Sequence, residues 1–529
     1  MLRIRNYFIV FAVVFAISST YAVVGVQDAK AQSTMGDLIK RIEALESKGG
    51  GNVTAPKVKG LKISGHIRTR GNMKTQFHAG NSATRSARAA DGTYTIAVPN
   101  PSTSSSQKHI GVSRNQNYIV QRIRLGFDFD VNKNVLAHAM IDSNRTWGGD
   151  QNTIQGAGND TASMKQAYFK LRNLGDLSPI LENVTVLAGR KQWAYGDQRL
   201  IGHLNWTNVG RAHDGAIIRW QKDKNWVDIV MSQVGVDATD GPGPGQTIAS
   251  TDREEFLYGF YSHFQNPFGT EGILAEPYLL VRDRARDRVD TDAGETRYYG
   301  GLRIVGKKIP WLPGLDFTAE QVFQWGQDKE ADSLSSNDIS AFGGGWKVGY
   351  RFASAPWTPR IGYEFVYASG DDKPNTSGDG NNQSSNKRFS QLYPLGHAHL
   401  GYMDQHGWEN IEAHRASINL KPTKKLVLNA DLWFFEAAEV EDDWRSVGGG
   451  TARVGGNFAN SVEGGVSKRI SVDDEYGQEL DLVAKYKLFK NVGVVGGYSH
   501  YFTGDWMEDT NHGTQPGMDW FWLQAAVKF

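Results

Sequence analysis

Short segments in which apolar and polar side chains alternate recur along most of the chain, from residue 61 to residue 529. In residues 121–128, for example, Ile123 and Leu125 share one strand face while Arg122 and Arg124 share the other. Each segment has about the 9 to 11 residues that a tilted β-strand needs to cross a bilayer. No stretch in this region has the roughly 18 consecutive apolar residues of a transmembrane helix. The pattern therefore predicts an all-β fold, a transmembrane antiparallel β-barrel with one face toward lipid and the other toward water.

The alternation predicts about eighteen strands, an even number as in bacterial single-chain barrels. The predicted strands lie near residues 61–77, 115–131, 134–144, 162–173, 182–190, 213–221, 225–235, 253–265, 271–283, 295–306, 313–326, 340–353, 359–370, 409–421, 424–436, 477–488, 490–502 and 519–529. Short polar links such as 131–134, 222–225 and 421–424 separate some strands, and long polar stretches at 80–114, 237–251, 371–388 and 436–476 separate others. This rhythm predicts short periplasmic turns at one end of the barrel and long extracellular loops at the other.

Net charge and cysteine content exclude several classes of function. Lys and Arg total 58 and Asp and Glu total 57 among the 529 residues, so the overall charge favours no nucleic-acid partner. The chain has no cysteine, which excludes disulfides, a lipidated cysteine and covalently attached haem. The 60 Gly, 20 Tyr, 15 Trp and 24 Phe stand among many polar residues. A lipid-facing band with aromatic girdles and a polar interior requires that mixture.

Residues 1–31 have the pattern of a secretory signal peptide. Arg3 and Arg5 precede the apolar run Phe8–Ile17, and the small-residue motif Ala29-Lys30-Ala31 follows. A start-transfer helix is the alternative, but it needs about 20 apolar residues and this run is shorter. The sequence predicts export through the Sec pathway and cleavage after the motif. It also predicts a location in the outer membrane of a Gram-negative cell, among outer-membrane lipid and lipopolysaccharide.

Residues 32–48 carry a short heptad pattern. Met35, Leu38, Ile42 and Leu45 recur at spacings of three and four, which predicts a helical coiled-coil segment. Two heptads are too short to be stable alone in water, so the apolar stripe is expected to be buried. Association of copies through residues 35–45, as a homotrimer or a homodimer, is one solution, and packing against the barrel is the other. Residues 49–60 are predicted to form a Gly-rich linker, and residues 61–529 the barrel.

The chain ends on an apolar stripe. Phe521, Leu523, Ala525, Val527 and Phe529 alternate with other residues up to the terminus. A terminal phenylalanine on such a strand resembles the signal that barrel-assembly machinery reads in outer-membrane proteins, so Phe529 predicts that partner. The alternative is a soluble β-sandwich with this stripe on an edge strand, where its exposure would promote aggregation.

Many arginines fall on the strand face that the alternation turns toward water. Placing one toward lipid would cost about 2–4 kcal/mol near the bilayer midplane. The set comprises Arg68, Arg70, Arg122, Arg124, Arg190, Arg219, Arg297, Arg303 and Arg360, and acidic residues assigned to the same face include Asp128, Asp214, Glu364, Asp431 and Asp481. Two interpretations remain open: arginine–carboxylate pairs that stiffen the wall, or a constriction of guanidinium groups that attracts an anion. Residues 189–214, a polar and aromatic stretch between two strands, are interpreted as an inward-folded constriction loop or as an ordinary hairpin loop.

Four long motifs resemble the alginate export family of outer-membrane porins, and the resemblance covers nearly all of residues 61–529. They are QRIRLGFDF at Gln121, GRKQWAYGDQRLIGHLNWTNVGRAHDG at Gly189, FSQLYPLGHAHLGYMDQHGWENI at Phe389 and GQELDLVAKYKL at Gly477. The resemblance implies a monomeric eighteen-stranded barrel with an arginine-lined pore through which a polyuronate leaves the cell. It also implies that Arg122, Arg124, Arg190, Arg199 and Arg211 belong to the pore and its constriction, with Asp197 and Asp214 bracing them. The heptad segment and the linker lie outside the family core.

The remaining motifs predict no chemistry. His397, His399, Asp404 and His406 have metal-ligand side chains, but they belong to the third motif and are interpreted as part of a plug or rim loop. No serine and histidine share an outward position with an orienting partner. The sequence therefore predicts no enzyme, no catalytic residue, no metal and no cofactor.

The function predicted from these features is passive diffusion of anionic solutes, an anionic polysaccharide such as alginate among them. The alternative is a general or inorganic-ion porin with no polysaccharide role. A third hypothesis is a sheath around a partner protein in the lumen, although no residue singles it out.

Overall fold

The computed structural model describes residues 60–77, 114–148, 162–235, 255–284, 294–329, 336–372, 385–453, 460–463, 466–469, 473–507 and 517–529. Residues 60–529 form one compact unit. The predicted signal peptide, the predicted coiled-coil segment and nearly all of the predicted linker lie outside the described residues. In the part of the chain that is described, no helix has both the length and the apolar character that a membrane span requires.

Eighteen antiparallel strands form the barrel. They are β1 (Leu61–Phe77), β2 (Arg114–Asp130), β3 (Val135–Thr146), β4 (Ala162–Leu171), β5 (Val184–Lys191), β6 (His213–Lys222), β7 (Asn225–Gly235), β8 (Glu255–Gln265), β9 (Ile273–Arg284), β10 (Glu295–Gly306), β11 (Leu315–Lys329), β12 (Ser336–Arg351), β13 (Arg360–Ala368), β14 (Ile411–Leu420), β15 (Leu426–Glu436), β16 (Glu475–Phe489), β17 (Val492–Thr503) and β18 (Met518–Lys528). The predicted all-β antiparallel barrel and its strand number are confirmed.

The connections between strands are short at one end of the barrel and long at the other. The end that carries turns such as 131–134, 223–224 and 490–491 is called the short-turn end below, and the opposite end the long-loop end. Smaller elements within the connections are the strands Ser385–Asn386, Trp444–Arg445, Thr451–Arg453, Asn460–Glu463 and Val466–Arg469, and the 3-10 turns Leu174–Asp176, Pro179–Leu181, Pro267–Gly269 and Gly396–Ala398. The smaller elements do not take part in closing the barrel.

Backbone hydrogen bonds between the first and last strands close the sheet. In β1, Arg68 pairs with Arg122 of β2 on one side and with Ala526 of β18 on the other. Gly65 and Phe529 extend this contact, because each backbone N–H donates to the carbonyl oxygen of the other, at 2.7 and 3.0 Å. The ring of described strands therefore leaves no strand edge unpaired toward hydrocarbon, as a membrane-spanning sheet requires.

The two faces of the wall carry different side chains. In β16, Glu479, Asp481 and Val483 are buried toward the interior, whereas Leu482 is 43% exposed on the outer face. Large apolar side chains exposed on other strands include Ile63, Met73, Phe323, Ile361 and Leu523. An apolar outer surface around a polar inner wall is the arrangement that a lipid-embedded barrel needs.

The hydrophobic core of the protein lies inside the barrel. Trp193, Ile201, Phe389 and Trp408 come from two connections at the long-loop end, and all four are buried. They belong to one apolar cluster with wall residues such as Val366. A ring of this many strands leaves more interior space than wall side chains fill, so the connections supply the missing volume.

Substitution of Leu482 by arginine tests the assignment of the outer face. Leu482 lies near the middle of β16, so Leu482→Arg is expected to lower the free energy of unfolding in lipid by about 2–4 kcal/mol, because the charge enters hydrocarbon near the midplane. Leu488→Arg, at the short-turn end of the same strand, is the matched control and is expected to cost about 0–1 kcal/mol. Urea titration of the barrel in lipid vesicles, followed by tryptophan fluorescence, measures both. Equal effects of the two substitutions contradict the assignment.

Candidate functional site

The connection between β5 and β6 folds into the interior. This first infolded segment, residues 192–212, starts at Gln192, whose backbone N–H donates to the side-chain oxygen of Gln166 in β4 at 3.1 Å. Its Arg199 reaches Glu364 of β13 on another part of the wall, at 2.6 Å. The segment therefore crosses the channel, as the inward-folded interpretation of this stretch predicts.

Part of the connection between β13 and β14 forms a second infolded segment, residues 387–410. Its Tyr393 pairs with Ile201 of the first infolded segment in a parallel bridge. The backbone N–H of Gly202 donates to the carbonyl oxygen of Tyr393, and that of Tyr393 donates to the carbonyl oxygen of Leu200, each at 2.8 Å. The two segments are thus hydrogen-bonded to each other inside the barrel, and together they narrow the channel.

Arginines of β1 and β2 hold the first infolded segment by its backbone. Arg68 donates to the carbonyl oxygens of Asn205 and Thr207 at 2.7 and 2.9 Å. Arg122 donates to the same two oxygens at 3.0 and 3.2 Å. Arg124 donates to the side-chain oxygen of Asn205 at 2.7 Å. We call these three arginines the carbonyl latch, because most of their acceptors are neutral backbone carbonyls.

The end of the first infolded segment approaches Arg124 closely. Besides its contact with Asn205, Arg124 pairs with Asp142 of β3 at 2.9 Å and donates to the carbonyl oxygen of Val209 at 2.8 Å. The next residue, Gly210, has a φ of +70°, and a Cβ there would lie 3.1 Å from a guanidinium nitrogen of Arg124. Both the backbone conformation and the close approach require glycine at this position.

An aromatic stack joins both infolded segments to the wall. The guanidinium carbon of Arg70 lies 4.1 Å from the ring centroid of Trp206 in the first segment. Trp206 stacks on His397 of the second segment with centroids 3.8 Å apart, and its ring meets Trp522 of β18 edge-on at 4.9 Å. The cation–π contact and the ring contacts add to the hydrogen bonds of the carbonyl latch.

On the other side of the interior, arginines are paired with carboxylates. Arg199 and Glu364 form an ion pair in which both side chains are 2% exposed, and Arg415 of β14 also donates to Glu364. Arg199 lies over the ring of Trp408 as well, 5.2 Å from its centroid. A buried and multiply bonded pair of this kind stiffens the wall and leaves little charge for a solute.

Asp197 connects the first infolded segment to the wall through two cations. Its carboxylate lies 2.6 Å from the Lys347 ammonium group and 3.8 Å from Arg303. Arg303 pairs in addition with Glu276 of β9. Asp197 therefore holds the segment to the wall, and its ion-pair partners are Lys347 and Arg303 rather than the arginines that the family resemblance implies it braces.

Three further arginines predicted for the pore have partners of their own in the interior. Arg219 contacts Asp228 at 2.5 and 2.7 Å, Arg360 contacts Asp316 at 2.6 and 2.8 Å, and Arg211 donates to the carbonyl oxygen of Pro394 at 3.2 Å. The first two are ion pairs, and the third joins the two infolded segments. Of the three, only Arg211 contacts no carboxylate among the described residues, so its charge is not neutralised by an ion pair.

Arg190 and Asp214 do not line the interior, which corrects the roles predicted for them. They form a bidentate pair with both bonds at 2.7 Å, and their side chains are 49% and 54% exposed. Leu187 of β5 and Ile217 of β6 face inward. Leu187 is three positions from Arg190, and Ile217 is three positions from Asp214. Because successive side chains of a strand point to opposite faces, an odd separation places Arg190 and Asp214 on the outer surface.

The histidines of the second infolded segment have separate partners. His397 lies 3.0 Å from Asp404, His399 lies 3.0 Å from the carbonyl oxygen of Asp197, and His406 lies 3.0 Å from the Tyr501 hydroxyl. The described residues contain no group of three side chains arranged to hold a metal ion. Burial lowers the pKa of the His399 and His406 imidazoles to about 3. Both are therefore neutral near pH 7.

Sequence reasoning missed two charged residues beside the carbonyl latch. Lys165 of β4 lies close enough to Arg124 and Asp142 to interact with both electrostatically. It occupies a bulge, where the register between β3 and β4 shifts, so counting alternate residues does not find it. Asp142 lies on the inward-facing row of β3 and was recognisable by the same alternation that predicted the arginines.

Comparison with known protein families agrees with this geometry. The sequence profile of the family described as alginate export matches residues 101–517. The chain belongs to the alginate export family. The matched region contains β2 to β17, both infolded segments and two arginines of the carbonyl latch. Membership of the alginate export family and the closed barrel together identify the protein as an outer-membrane channel.

Several solved structures resemble this alginate export chain in fold. OpdQ of Pseudomonas aeruginosa is 11% identical, with a TM-score of 0.48, and the match covers 90% of this chain and 99% of that chain. OccK8 (OprE) of the same organism is 11% identical, with a TM-score of 0.47 and the same two coverages. A BenF-like porin from Pseudomonas fluorescens Pf-5 is 8% identical, with a TM-score of 0.46, and the match covers 90% and 100%. No curated protein sequence matches the chain.

Removing one arginine of the carbonyl latch is expected to widen the channel. Arg68→Ala deletes the hydrogen bonds to Asn205 and Thr207. Because Arg68 forms no ion pair with a carboxylate of the described residues, the substitution leaves no acid unpaired. The first infolded segment then loses part of its attachment to β1, and the single-channel conductance and its fluctuations are expected to rise. Recording in planar bilayers measures both. Arg190→Ala, which removes an arginine from the outer surface, is the control; an Arg68→Ala channel that matches it contradicts the role of the latch.

The two kinds of ion pair are expected to differ in their effect on stability. Glu364→Leu leaves buried Arg199 without its carboxylate, so it is expected to lower the free energy of unfolding by about 3–5 kcal/mol. Asp214→Ala breaks the exposed pair on the outer surface and is expected to cost less than about 1 kcal/mol. Urea unfolding in lipid vesicles compares them. Similar losses for the two variants would contradict the burial of the Arg199–Glu364 pair.

Proposed function

We propose that this member of the alginate export family is a passive channel that prefers anionic solutes, and that its solute is an anionic polysaccharide such as alginate or its oligomers. The solute moves down its gradient without a cofactor. The family match supports the class of solute, and the charge of the interior supports the preference for anions.

The observation that carries the proposal is the excess of positive charge beside the first infolded segment. Arg68, Arg70, Arg122 and Arg124 lie close enough to repel one another. Among the described residues, Asp142 is the carboxylate in ion-pair contact with this group, and it contacts Arg124. The other acceptors are neutral carbonyls and an aromatic ring, so most of the charge is left uncompensated.

The size of this effect is sufficient for selectivity. One guanidinium group about 8 Å from an anion contributes about 0.5 kcal/mol in bulk water and about 2 kcal/mol at an effective dielectric constant of 20. Four such groups, partly screened by salt, favour an anion over a cation by about tenfold or more. The anion is not held tightly, because the arginines are already engaged with the segment, and weak binding lets a solute leave again.

A general or inorganic-ion porin is the second candidate, and the filling of the interior favours it. Both infolded segments lie in the channel, and Arg199, Arg303 and Arg360 are neutralised by carboxylates. A narrowed channel with part of its charge paired suits small ions better than a polymer. Under this candidate, the alginate export features are an inherited scaffold.

The partners of the channel are part of the same proposal. We infer that outer-membrane lipid and lipopolysaccharide surround the apolar outer face, and that barrel-assembly machinery recognises the terminal Phe529, which is exposed. Export through the Sec pathway and a homo-oligomer formed through residues 35–45 stay predictions from the sequence. Deletion of residues 32–48, followed by sizing in detergent, tests the homo-oligomer.

Reversal potentials across a neutral-lipid bilayer with a KCl gradient test the anion preference. The wild-type channel is expected to prefer chloride by about tenfold, because of the four arginines described above. Arg122→Gln is expected to lower this preference, whereas Arg190→Gln, on the outer surface, is the control and leaves it unchanged. A wild-type channel that prefers potassium contradicts the proposal.

Solute exclusion separates the two candidates. Liposomes that contain the protein are mixed with neutral sugars or with alginate oligomers of similar size. Faster entry of the oligomers supports the polysaccharide channel, and entry of small neutral sugars with exclusion of the oligomers supports the general porin.

A further inference from the structure

Five lysines that form no ion pair with a carboxylate of the described residues lie together at the short-turn end of the barrel. Lys485 and Lys487 in β16 share the inward-facing row of Asp481 and Val483. Lys528 in β18 shares the inward-facing row of Trp522. Lys421 and Lys425 occupy the adjacent turn between β14 and β15. We call these five residues the lysine wall.

Backbone contacts make the lysine wall continuous. The backbone N–H of Lys487 donates to the carbonyl oxygen of Lys425 at 2.9 Å, which joins β16 to the turn between β14 and β15. The backbone N–H of Lys528 donates to the carbonyl oxygen of Asn491 at 3.0 Å, which joins β18 to the turn between β16 and β17. Neighbouring strands lie about 4.8 Å apart, so these lysines are spread along one side of the channel mouth between β14 and β18.

The lysine wall differs from the arginines deeper in the channel because its lysines form no ion pair among the described residues. All five side chains are exposed, and no carboxylate of the described residues lies within ion-pair distance of them. The nearest acids along these strands are Asp431 and Asp481. Asp431 lies 3.9 Å from Arg415 and is close enough to Lys485 to interact with it electrostatically. Asp481 is buried and accepts a hydrogen bond from Ser499 at 2.5 Å.

The sequence of the turns extends this one-sided charge along the rim. The consecutive turns 352–359, 421–425 and 490–491 contain no Asp or Glu, and neither do residues 526–529. Elsewhere on the same rim, acids stand among the lysines, as in Lys222-Asp223-Lys224, although the turn 307–314 with Lys307 and Lys308 contains no Asp or Glu. More of the uncompensated positive charge therefore lies on the arc from β12 to β18 than on the rest of the rim.

We propose that the lysine wall is the site where a polyanion first binds to this channel, at the short-turn end. The inference rests on the proposed function and names its first binding site. Lysine ammonium groups are hydrated point charges on flexible stems, which suits weak, exchangeable contacts with carboxylates. A row of such groups binds a polymer of many carboxylates much better than one small anion, because the contacts form within a single complex.

Side-specific block of the channel by a polyanion tests the proposal. The probe is alginate oligomer, or poly-L-glutamate, added to one side of a planar bilayer. The bilayer is made of phosphatidylcholine, which has no net charge, so that no anionic lipid competes with the probe for the lysines. Because the chain has no cysteine, Asn491→Cys and a membrane-impermeant thiol reagent report which side carries the short turns. With all lysines intact and at low salt, the probe concentration that blocks the channel is expected to be about tenfold lower on the short-turn side than on the other side.

A charge-matched pair of variants locates the site. Lys421→Gln combined with Lys425→Gln, Lys487→Gln and Lys528→Gln removes four charges from the lysine wall, and the expected result is loss of the side difference, with block from the short-turn side weakened about tenfold. Lys222→Gln combined with Lys224→Gln, Lys307→Gln and Lys308→Gln removes four charges from the same rim outside the arc from β12 to β18 and is expected to change block less than twofold. All eight side chains are exposed. The difference in migration between heated and unheated samples on SDS gels checks that both variant barrels fold.

The outcomes separate this inference from the proposed function. A wild-type channel that prefers anions but is blocked equally from both sides overturns the lysine wall alone. Equal weakening by the two quadruple variants also overturns it, because net charge then matters rather than position. A wild-type channel that prefers cations overturns the proposed function and the inference together.

Discussion

The hydrogen bonds that join β1 to β18 are the constraint on which the rest of the structure depends. Hydrocarbon offers no partner for a backbone N–H or C=O, so every strand of the wall needs a neighbour on both sides. Closing a ring of eighteen strands leaves a wide interior and turns every second side chain into it. The infolded segments occupy that interior, and their own backbone groups then need partners. Arginines of the wall, and the segments themselves, supply these partners.

Cations in the channel fall into three classes according to what they contact. Arg199 is buried against Glu364, so the pair is nearly neutral and its role is mechanical. Arg68 binds backbone carbonyls, which satisfies its hydrogen bonds without cancelling its charge. Lys487 is exposed at the mouth and keeps both its charge and its freedom. A count of lumenal arginines therefore overestimates the field that a solute meets, because the acceptor of each guanidinium group decides its contribution.

The sequence predicted the strands well because their signal is local. Alternation within ten residues defines a membrane strand, and the ends of β1 and β7 match their predicted bounds. Partners across the channel carry no such signal: Arg199 and Glu364 are 165 positions apart, and no spacing rule connects them. Arg190 was assigned to the wrong face because it stands near the end of a strand of only eight residues, where few alternating side chains define the two faces. Lys165 was missed because it lies in a β-bulge, which interrupts the alternation of the strand.

The parallel bridge between Ile201 and Tyr393 ties the movement of one infolded segment to that of the other. If a single segment withdrew toward the long-loop end, the other would keep its buried backbone groups without partners, at a cost of about 1–3 kcal/mol for each group. Displacement of both at once avoids that cost. The bridge therefore favours joint retraction of the two segments over withdrawal of one alone, and current records are expected to contain two levels rather than a continuum.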